Sequence, residues 1–440
     1  TSLIYNPTPL DQLRLVASLR GDHYQVPNTP DQQDVGIRDT QDERDAFVNF
    51  SWVRTLGHDR MLTISPFYHR NRANFRGGPG DTPFVAADDR TSSYAGGQAS
   101  LSWVSKVHNL RAGVSGIAER DNQEFGLQAA DSSGTTLNQR QKVPGSFEAV
   151  FFEDQYRLTR WLTLNGGLRL TNFSGLITER AASPRAGAAL RLPGLNWVLR
   201  GFYGRYYQPP PLSTVAGPLL ELAFEQGFGF LPLHGERDEQ KEVGLTVPLR
   251  GWSFDLTHYQ TNARNFFDHE VLGNSNIFLP LTIAGARLRG WEATLQSSLL
   301  LRRSRIHLAY SRQFAQGQGA VTGGLTDFHP AEQGLFFLDH DQRSTVAAGG
   351  EVELPWKCWA SANLSYGSGF LDGDGPAHLS SHTSVDFSVG KSFGESLSLR
   401  FNALNLANSR YLLDNSNTFG GTHFNYPRQI SITLRYRFHY

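Results

Sequence analysis

The sequence predicts an all-β protein, a transmembrane antiparallel up-and-down β-barrel. Three observations predict it. Apolar and polar residues alternate with period two along strand-length segments. The connections between those segments alternate between short and long. Tryptophans gather beside the short connections.

The last strand carries the clearest alternation. Ile430, Ile432, Leu434, Tyr436, Phe438 and Tyr440 alternate with Gln429, Ser431, Thr433, Arg435, Arg437 and His439. Side chains of a strand point to opposite faces in turn, so one face is apolar and the other polar. About 11 residues of this kind match a tilted membrane-spanning strand. Leu397, Leu399 and Phe401 repeat the pattern against Ser398, Arg400 and Asn402. Val385, Phe387 and Val389 repeat it against Ser384, Asp386 and Ser388. In all, about 18 strands are expected. Their spans are 12–25, 44–55, 60–73, 92–104, 108–126, 145–158, 161–174, 182–192 and 197–208, then 238–248, 252–265, 286–300, 304–316, 343–354, 358–370, 382–393, 396–410 and 426–440.

The connections separate a barrel from a soluble sandwich. The short ones are 56–59, 105–107, 159–160, 193–196, 249–251, 301–303, 355–357 and 394–395. Those between them are long, up to 209–237, 317–342 and 411–425. Outer-membrane barrels have short periplasmic turns and long extracellular loops. An even strand number then places both termini in the periplasm. Trp52, Trp103, Trp161, Trp197, Trp252, Trp356 and Trp359 lie beside the short turns, and Trp291 alone does not. That distribution fits an aromatic girdle at one membrane interface.

Composition removes other classes. Acidic and basic residues balance at 41 each, so the basic footprint of a nucleic-acid binder is missing. The single cysteine, Cys358, excludes an intramolecular disulfide. Mean hydropathy is −0.38 and no apolar run reaches the length of a membrane helix. A barrel escapes that criterion because only alternate residues face lipid. No cofactor is expected.

The C-terminal half bears motifs of a known family. Arg289-Gly290-Trp291-Glu292, Phe401 through Tyr411 with its Asn405-Leu406, and Pro427 onward to Phe438 resemble strands of TonB-dependent outer-membrane receptors. Glu153 to Leu158, Gly167-Leu168-Arg169, Ser183 to Gly187 and Arg205 to Pro210 follow the order of that family's middle strands. Loop segments 273–280 and 338–343 resemble its acidobacterial, carboxypeptidase-regulatory-like branch. The resemblance implies a 22-strand barrel with an N-terminal plug that binds TonB. Residues 1–440 then read as a single barrel domain, with the plug and first strands absent. It further implies recognition of the terminal aromatics Phe438 and Tyr440 by the barrel-assembly machinery. Outer-membrane lipid and lipopolysaccharide surround such a barrel.

The implied function is TonB-dependent uptake of a scarce nutrient, a siderophore, carbohydrate, peptide or haem. The alternatives are a passive porin of about 18 strands and a surface adhesin or phage receptor. No catalytic set is legible, so no enzyme is expected. The ligand is expected at the extracellular mouth, because only the long connections have enough chain to build a pocket. Asp339, His340, Asn415, Asn417 and His423 would orient it, and Phe224, Phe228 and Phe230 would supply apolar contact. Asp339, His340 and Asp341 equally suit a hydrogen-bonded loop anchor. His378 and His382 flank one short loop and are the best candidates for a metal-ligating pair.

Overall fold

In the computed structural model the described residues are 1–28, 30–82, 84–130, 134, 136–212, 233–271, 277–323, 334–338, 341–373, 375–415 and 423–438. The strands are β1 (Ser2–Thr8), β2 (Asp11–Gln25), β3 (Thr40–Thr55), β4 (Arg60–Arg76), β5 (Phe84–Val104), β6 (His108–Ala129) and β7 (Thr136–Arg157). Then come β8 (Leu162–Ser174), β9 (Thr178–Arg191), β10 (Val198–Gln208), β11 (Glu236–Leu249), β12 (Trp252–Val271), β13 (Phe278–Gln296) and β14 (Ser304–Gly323). The last are β15 (Leu335–Phe337), β16 (Ser344–Leu354), β17 (Cys358–Gly367), β18 (His382–Phe393), β19 (Leu397–Leu404), β20 (Leu412–Asp414), β21 (His423–Phe424) and β22 (Gln429–Tyr436). A short helix, α1 (Pro30–Asp34), lies between β2 and β3.

Every expected strand is present. Each long strand pairs antiparallel with its neighbours in sequence, from β1–β2 through to β19–β22. β15 adds a third, short pairing at the far end of β14, and β20 pairs only with β21. Among the described residues β1 pairs only with β2, and β22 only with β19. β2 pairs with β1 and β3, so the first and last expected strands do not join.

Three differences from the expected spans have physical causes. β1 was not expected: its seven residues include Pro7, which lacks the amide proton a ladder needs. Strands β5, β7, β13 and β14 continue well past the expected ends, for example back to Phe84 and on to Gly323. Beyond the apolar band the period-two alternation disappears while the backbone pairing continues: Asp88 to Ser93 is polar throughout, whereas Phe278 to Ile283 is largely apolar and buries Leu281 and Ile283. β9 likewise starts early, at Thr178, so the expected loop 175–181 shrinks to 175–177. Conversely, β19 stops at Leu404 rather than at 410. Asn405 and Asn408 adopt positive φ there, at 46° and 53°. Asn405 is fully buried; its Nδ2 donates to the carbonyls of Ser409 and Tyr426, and its Oδ1 accepts the Ser409 amide. Asn side chains tolerate this left-handed conformation by bonding nearby backbone.

The short-turn end is as expected. Arg250 and Gly251, both at positive φ, form a two-residue turn between the paired Leu249 and Trp252. The indole N–H of Trp52 donates to Asp11, and that of Trp103 to Asp59 at 2.7 Å. Each ring thus shows an apolar body to the outside and a bonded polar tip at the rim.

One face of the sheet carries the exposed apolar side chains. Leu434 is paired with Leu399 and shares its face with Ile432 and Phe401, while Thr433 is paired with Arg400 and Arg435 with Ser398 on the other. Leu434 is 67% exposed, which no soluble core residue would be. Such a continuous apolar exterior meets lipid, and the polar face lines the lumen.

Candidate functional site

The long-connection end is built from loop feet that buried side chains tie together. Asp341 is the principal knot between β14, β16 and the 368–381 connection. It is only 1% exposed. Its Oδ1 accepts the backbone N–H of Ala315 at 2.8 Å. Its Oδ2 accepts the Nε–H of Arg343 at 2.8 Å and lies 3.0 Å from Nε2 of His378. The Arg343 guanidinium stacks on Phe314 and Phe337, 4.4 and 4.2 Å from the ring centres. His378 meets the edge of Phe337. Asp341 therefore behaves as the loop anchor foreseen for its cluster. Asp339 and His340 lie outside the described residues.

Next to it, His382 sits between two rings. Its imidazole is 3.9 Å from Tyr411 and nearly parallel to it, with Phe370 on the other side at 5.5 Å. Nδ1 of His382 is buried and makes no hydrogen bond. His378 and His382 thus face different partners. Among the described residues no group of three or more His, Cys, Asp or Glu side chains could hold a metal ion.

Asn415 ties the last long connection to its neighbour. Its Oδ1 accepts the Gly373 amide at 2.7 Å and its Nδ2 donates to Asp372. His423 begins β21 and is exposed, paired in register with Asp414. Asn417, Phe224, Phe228 and Phe230 fall outside the described residues, as does Tyr440.

The feet of the longest connection converge on a residue that sequence reasoning missed. Glu179 accepts the hydroxyl of Tyr207 at 2.8 Å and the amide of Gly235 at 3.0 Å, and faces Nδ1 of His234 at 2.8 Å. Arg237 lies 3.9 Å from the same carboxylate. Beneath it Leu212 packs with Val143 and Phe173, and Leu212 and Leu233 are almost fully buried. These residues are far apart in the chain, and a lone Glu in a polar stretch carries no sequence signal for such a role.

A second unforeseen feature joins the 26–39 and 77–83 connections. Asp39, 1% exposed, accepts the Gly78 amide at 2.9 Å beside a second buried carboxyl, Asp81. Burial, and then the charge of Asp39, push Asp81 up to about 6; burial also raises Asp39.

A cavity of about 990 Å³ opens across the same end of β9–β14. It takes Ser183, Tyr206 and Asp238 from the polar face and Arg237, Arg264 and Arg287 from the other. In the lumen below, Arg169 lies over Phe147 and Phe151, and Arg185 over Tyr206. Together these features make a clamped mouth above a polar, arginine-bearing lumen, suited to holding a polar ligand.

Comparison with known proteins agrees with this architecture. The family model for the TonB-dependent receptor-like β-barrel matches residues 5–406. Among curated proteins, none matches by sequence. Among solved structures, the chain is similar to the ferric-catecholate import receptor Fiu of E. coli K12, at 14% identity and a TM-score of 0.72, over 99% of this chain and 74% of that one. It is similar to the ferric yersiniabactin uptake receptor FyuA of Yersinia pestis, at 11% identity and a TM-score of 0.75, over 98% and 68%. The ferripyoverdine receptor of Pseudomonas aeruginosa aligns at 12% identity and a TM-score of 0.70, over 99% and 64%. At such identities the likeness is one of fold.

Proposed function

Because the chain belongs to the TonB-dependent receptor β-barrel family, we propose that it is the barrel of an outer-membrane uptake receptor whose long-connection end faces outward and captures a scarce nutrient. The observation that carries this is the set of clamped loop feet at Asp341, Asn415 and Glu179, all at one end of a lipid-facing barrel. Loops held at their feet can present a pocket while the barrel stays rigid. Phe224, Phe228, Phe230, Asp339, His340, Asn415, Asn417 and His423 are the residues assigned to that pocket. The ligand is a siderophore, carbohydrate, peptide or haem, and its passage is energised through TonB and a plug.

Both termini belong on the periplasmic side. The single-domain reading, with plug and first strands lying outside residues 1–440, accords with the unpaired edges of β1 and β22. Exposed ladder edges are not tolerated in hydrocarbon, which favours a reading in which further strands lie between the two edges seen among the described residues. A porin closed by these strands alone would instead pair β1 with β22. The role is transport rather than catalysis. Deletion of 219–231 in a plug-containing parent tests the mouth. It should abolish ligand uptake with membrane insertion intact, and unchanged uptake would remove that loop from the site.

A further inference from the structure

The two ends of the molecule carry opposite charge. Over the whole chain acidic and basic residues balance at 41 each. The long connections are 26–39, 77–83, 130–135, 175–177, 209–235, 272–277, 324–343, 368–381 and 405–428. Together they hold fourteen Asp and Glu, four Arg and no Lys. The short turns reverse this, with Lys106, Arg160, Arg250, Arg302, Arg303 and Lys357 against Asp59 and Glu395.

Inside the mouth, the lumen-facing side chains of β2–β6 continue the acidic end. Strand register sets them in rows. One row carries Phe47, His69, Tyr94 and Glu119. The next, nearer the long connections, carries Arg20, Asp45 and Asp121. The third carries Asp22, Glu43 and Arg90. The lumenal arginines Arg111, Arg169 and Arg185 all lie lower, towards the short turns, level with Ser100 and Ser102.

The acids of this wall are not compensated. Asp22 is directly opposite Glu43, a like-charge pair that costs stability. Arg20 is taken by Asp22, and Arg90 lies 3.7 Å from Asp88. Among the described residues Glu43, Glu119 and Asp121 form no ion pair. Asp121 is 7% exposed, and its Oδ1 has no hydrogen-bond partner. Oε1 of Gln41, Oδ2 of Asp39 and Oδ1 of Asp81, at the top of the same wall, are buried acceptors in the same condition, against one buried donor, Nε of Arg90.

Below the acids lies an aromatic shelf. The His69 ring is stacked 5.7 Å from Tyr94 and meets Phe47 edge-on at 5.8 Å. A cavity of about 560 Å³ opens above it on Asp22, Glu43, Asp45, Asn71 and Arg90. The acids are spread over several strands rather than gathered as metal ligands are.

We propose that this wall binds an organic oligocation, a ligand whose ammonium or guanidinium groups lie against Glu43, Glu119 and Asp121. Carboxylates accept strong, charge-assisted hydrogen bonds from such groups. The shelf of Phe47, His69 and Tyr94 suits the rest, since cations and their aliphatic stems lie well on aromatic faces. The acidic long connections draw the ligand to the mouth, because a cleft lined by one sign of charge concentrates the opposite sign. This inference rests on the uptake reading and its outward-facing mouth, and it narrows the ligand to an amine-bearing one, of which a basic peptide is the simplest.

The test uses the full-length, plug-containing receptor in nonionic detergent. Tetralysine, tetraserine and tetraglutamate, each carrying the same neutral dye, are titrated and read by fluorescence anisotropy. Tetralysine should bind at least about tenfold more tightly than tetraserine, and the preference should shrink as salt rises. The variant Glu43→Gln/Glu119→Gln/Asp121→Asn should lose at least about tenfold for tetralysine, since even one hydrogen bond to a charged group contributes roughly that factor. None of the three has an ion-pair partner to leave stranded, and heat-modifiability checks the fold. The charge-keeping variant Glu119→Asp/Asp121→Glu should retain most of the binding, which a merely structural role would not give. If the triple variant does not fold, the single variants should each show a partial loss. Tetraserine or tetraglutamate bound as tightly as tetralysine, or variants that bind tetralysine like wild type, would overturn the proposal. Full displacement of tetralysine by millimolar calcium at constant ionic strength would overturn it too, in favour of a metal site. The two readings fail separately. Uptake that proves independent of TonB while tetralysine binding persists sinks the uptake reading alone. Indifference to tetralysine in a receptor that takes up another ligand through TonB sinks this inference alone.

Discussion

Asp341 and His378, 37 residues apart in sequence, meet at 3.0 Å over a carboxylate that is fully shielded from solvent. That contact joins two of the long connections, and the same carboxylate holds Ala315 and Arg343. Replacing Asp341 by Ala strips a buried partner from the Arg343 guanidinium and from a backbone amide. Breaking a buried pair in this one-sided way costs about 3 kcal/mol. Asp341→Ala should therefore weaken ligand binding and speed proteolysis in both connections, with outer-membrane insertion retained. Proteolysis at the wild-type rate would show that the knot does not hold the loops.

The lipid face makes a sharper prediction. Leu434 and Thr433 are adjacent, yet they face lipid and lumen respectively. Arginine on the lipid face near the bilayer centre costs roughly 2–4 kcal/mol. Leu434→Arg should depress the yield of heat-modifiable, folded barrel far below that of Thr433→Arg. Equal yields from the two variants would contradict the barrel assignment.

The carboxyl pair Asp39 and Asp81 predicts a pH effect with a definite sign. In the folded protein Asp81 titrates at about 6, above its ordinary value of 3.8. The folded state then binds its proton more tightly than the unfolded chain does. Its contribution to stability is complete below about pH 4 and declines as pH rises through about 6. Hydrogen exchange at residues 77–81, corrected for intrinsic rates, should be slower at pH 5 than at pH 7.5. Asp81→Asn should remove most of that difference. The same difference in Asp81→Asn as in wild type would assign it to another group.

Much of this fold was legible because lipid enforces a rule. Wherever a strand crosses the apolar band its outer side chains must be apolar, so Leu397 to Phe401 or Ile430 to Tyr436 declare themselves by alternation. Above the band the rule lapses. There Phe84 to Thr91 and Thr136 to Pro144 remain paired strand with no hydrophobic period to show it. The site was legible only in part. Asp341 could be picked out as an anchor because it lies in a dense polar cluster. Glu179 could not, since its partners Tyr207, His234 and Gly235 are brought to it by strand register and loop return.

The central claim, energised uptake through this barrel, is tested most directly by ligand accumulation in intact cells with and without TonB. The plug-containing parent is expressed in both backgrounds, and cells are supplied with a radiolabelled ligand chosen by a binding screen. Accumulation should exceed the external concentration only where TonB is present, and a protonophore should abolish it. Equal, protonophore-resistant entry in both backgrounds would contradict the account and make the barrel a passive channel.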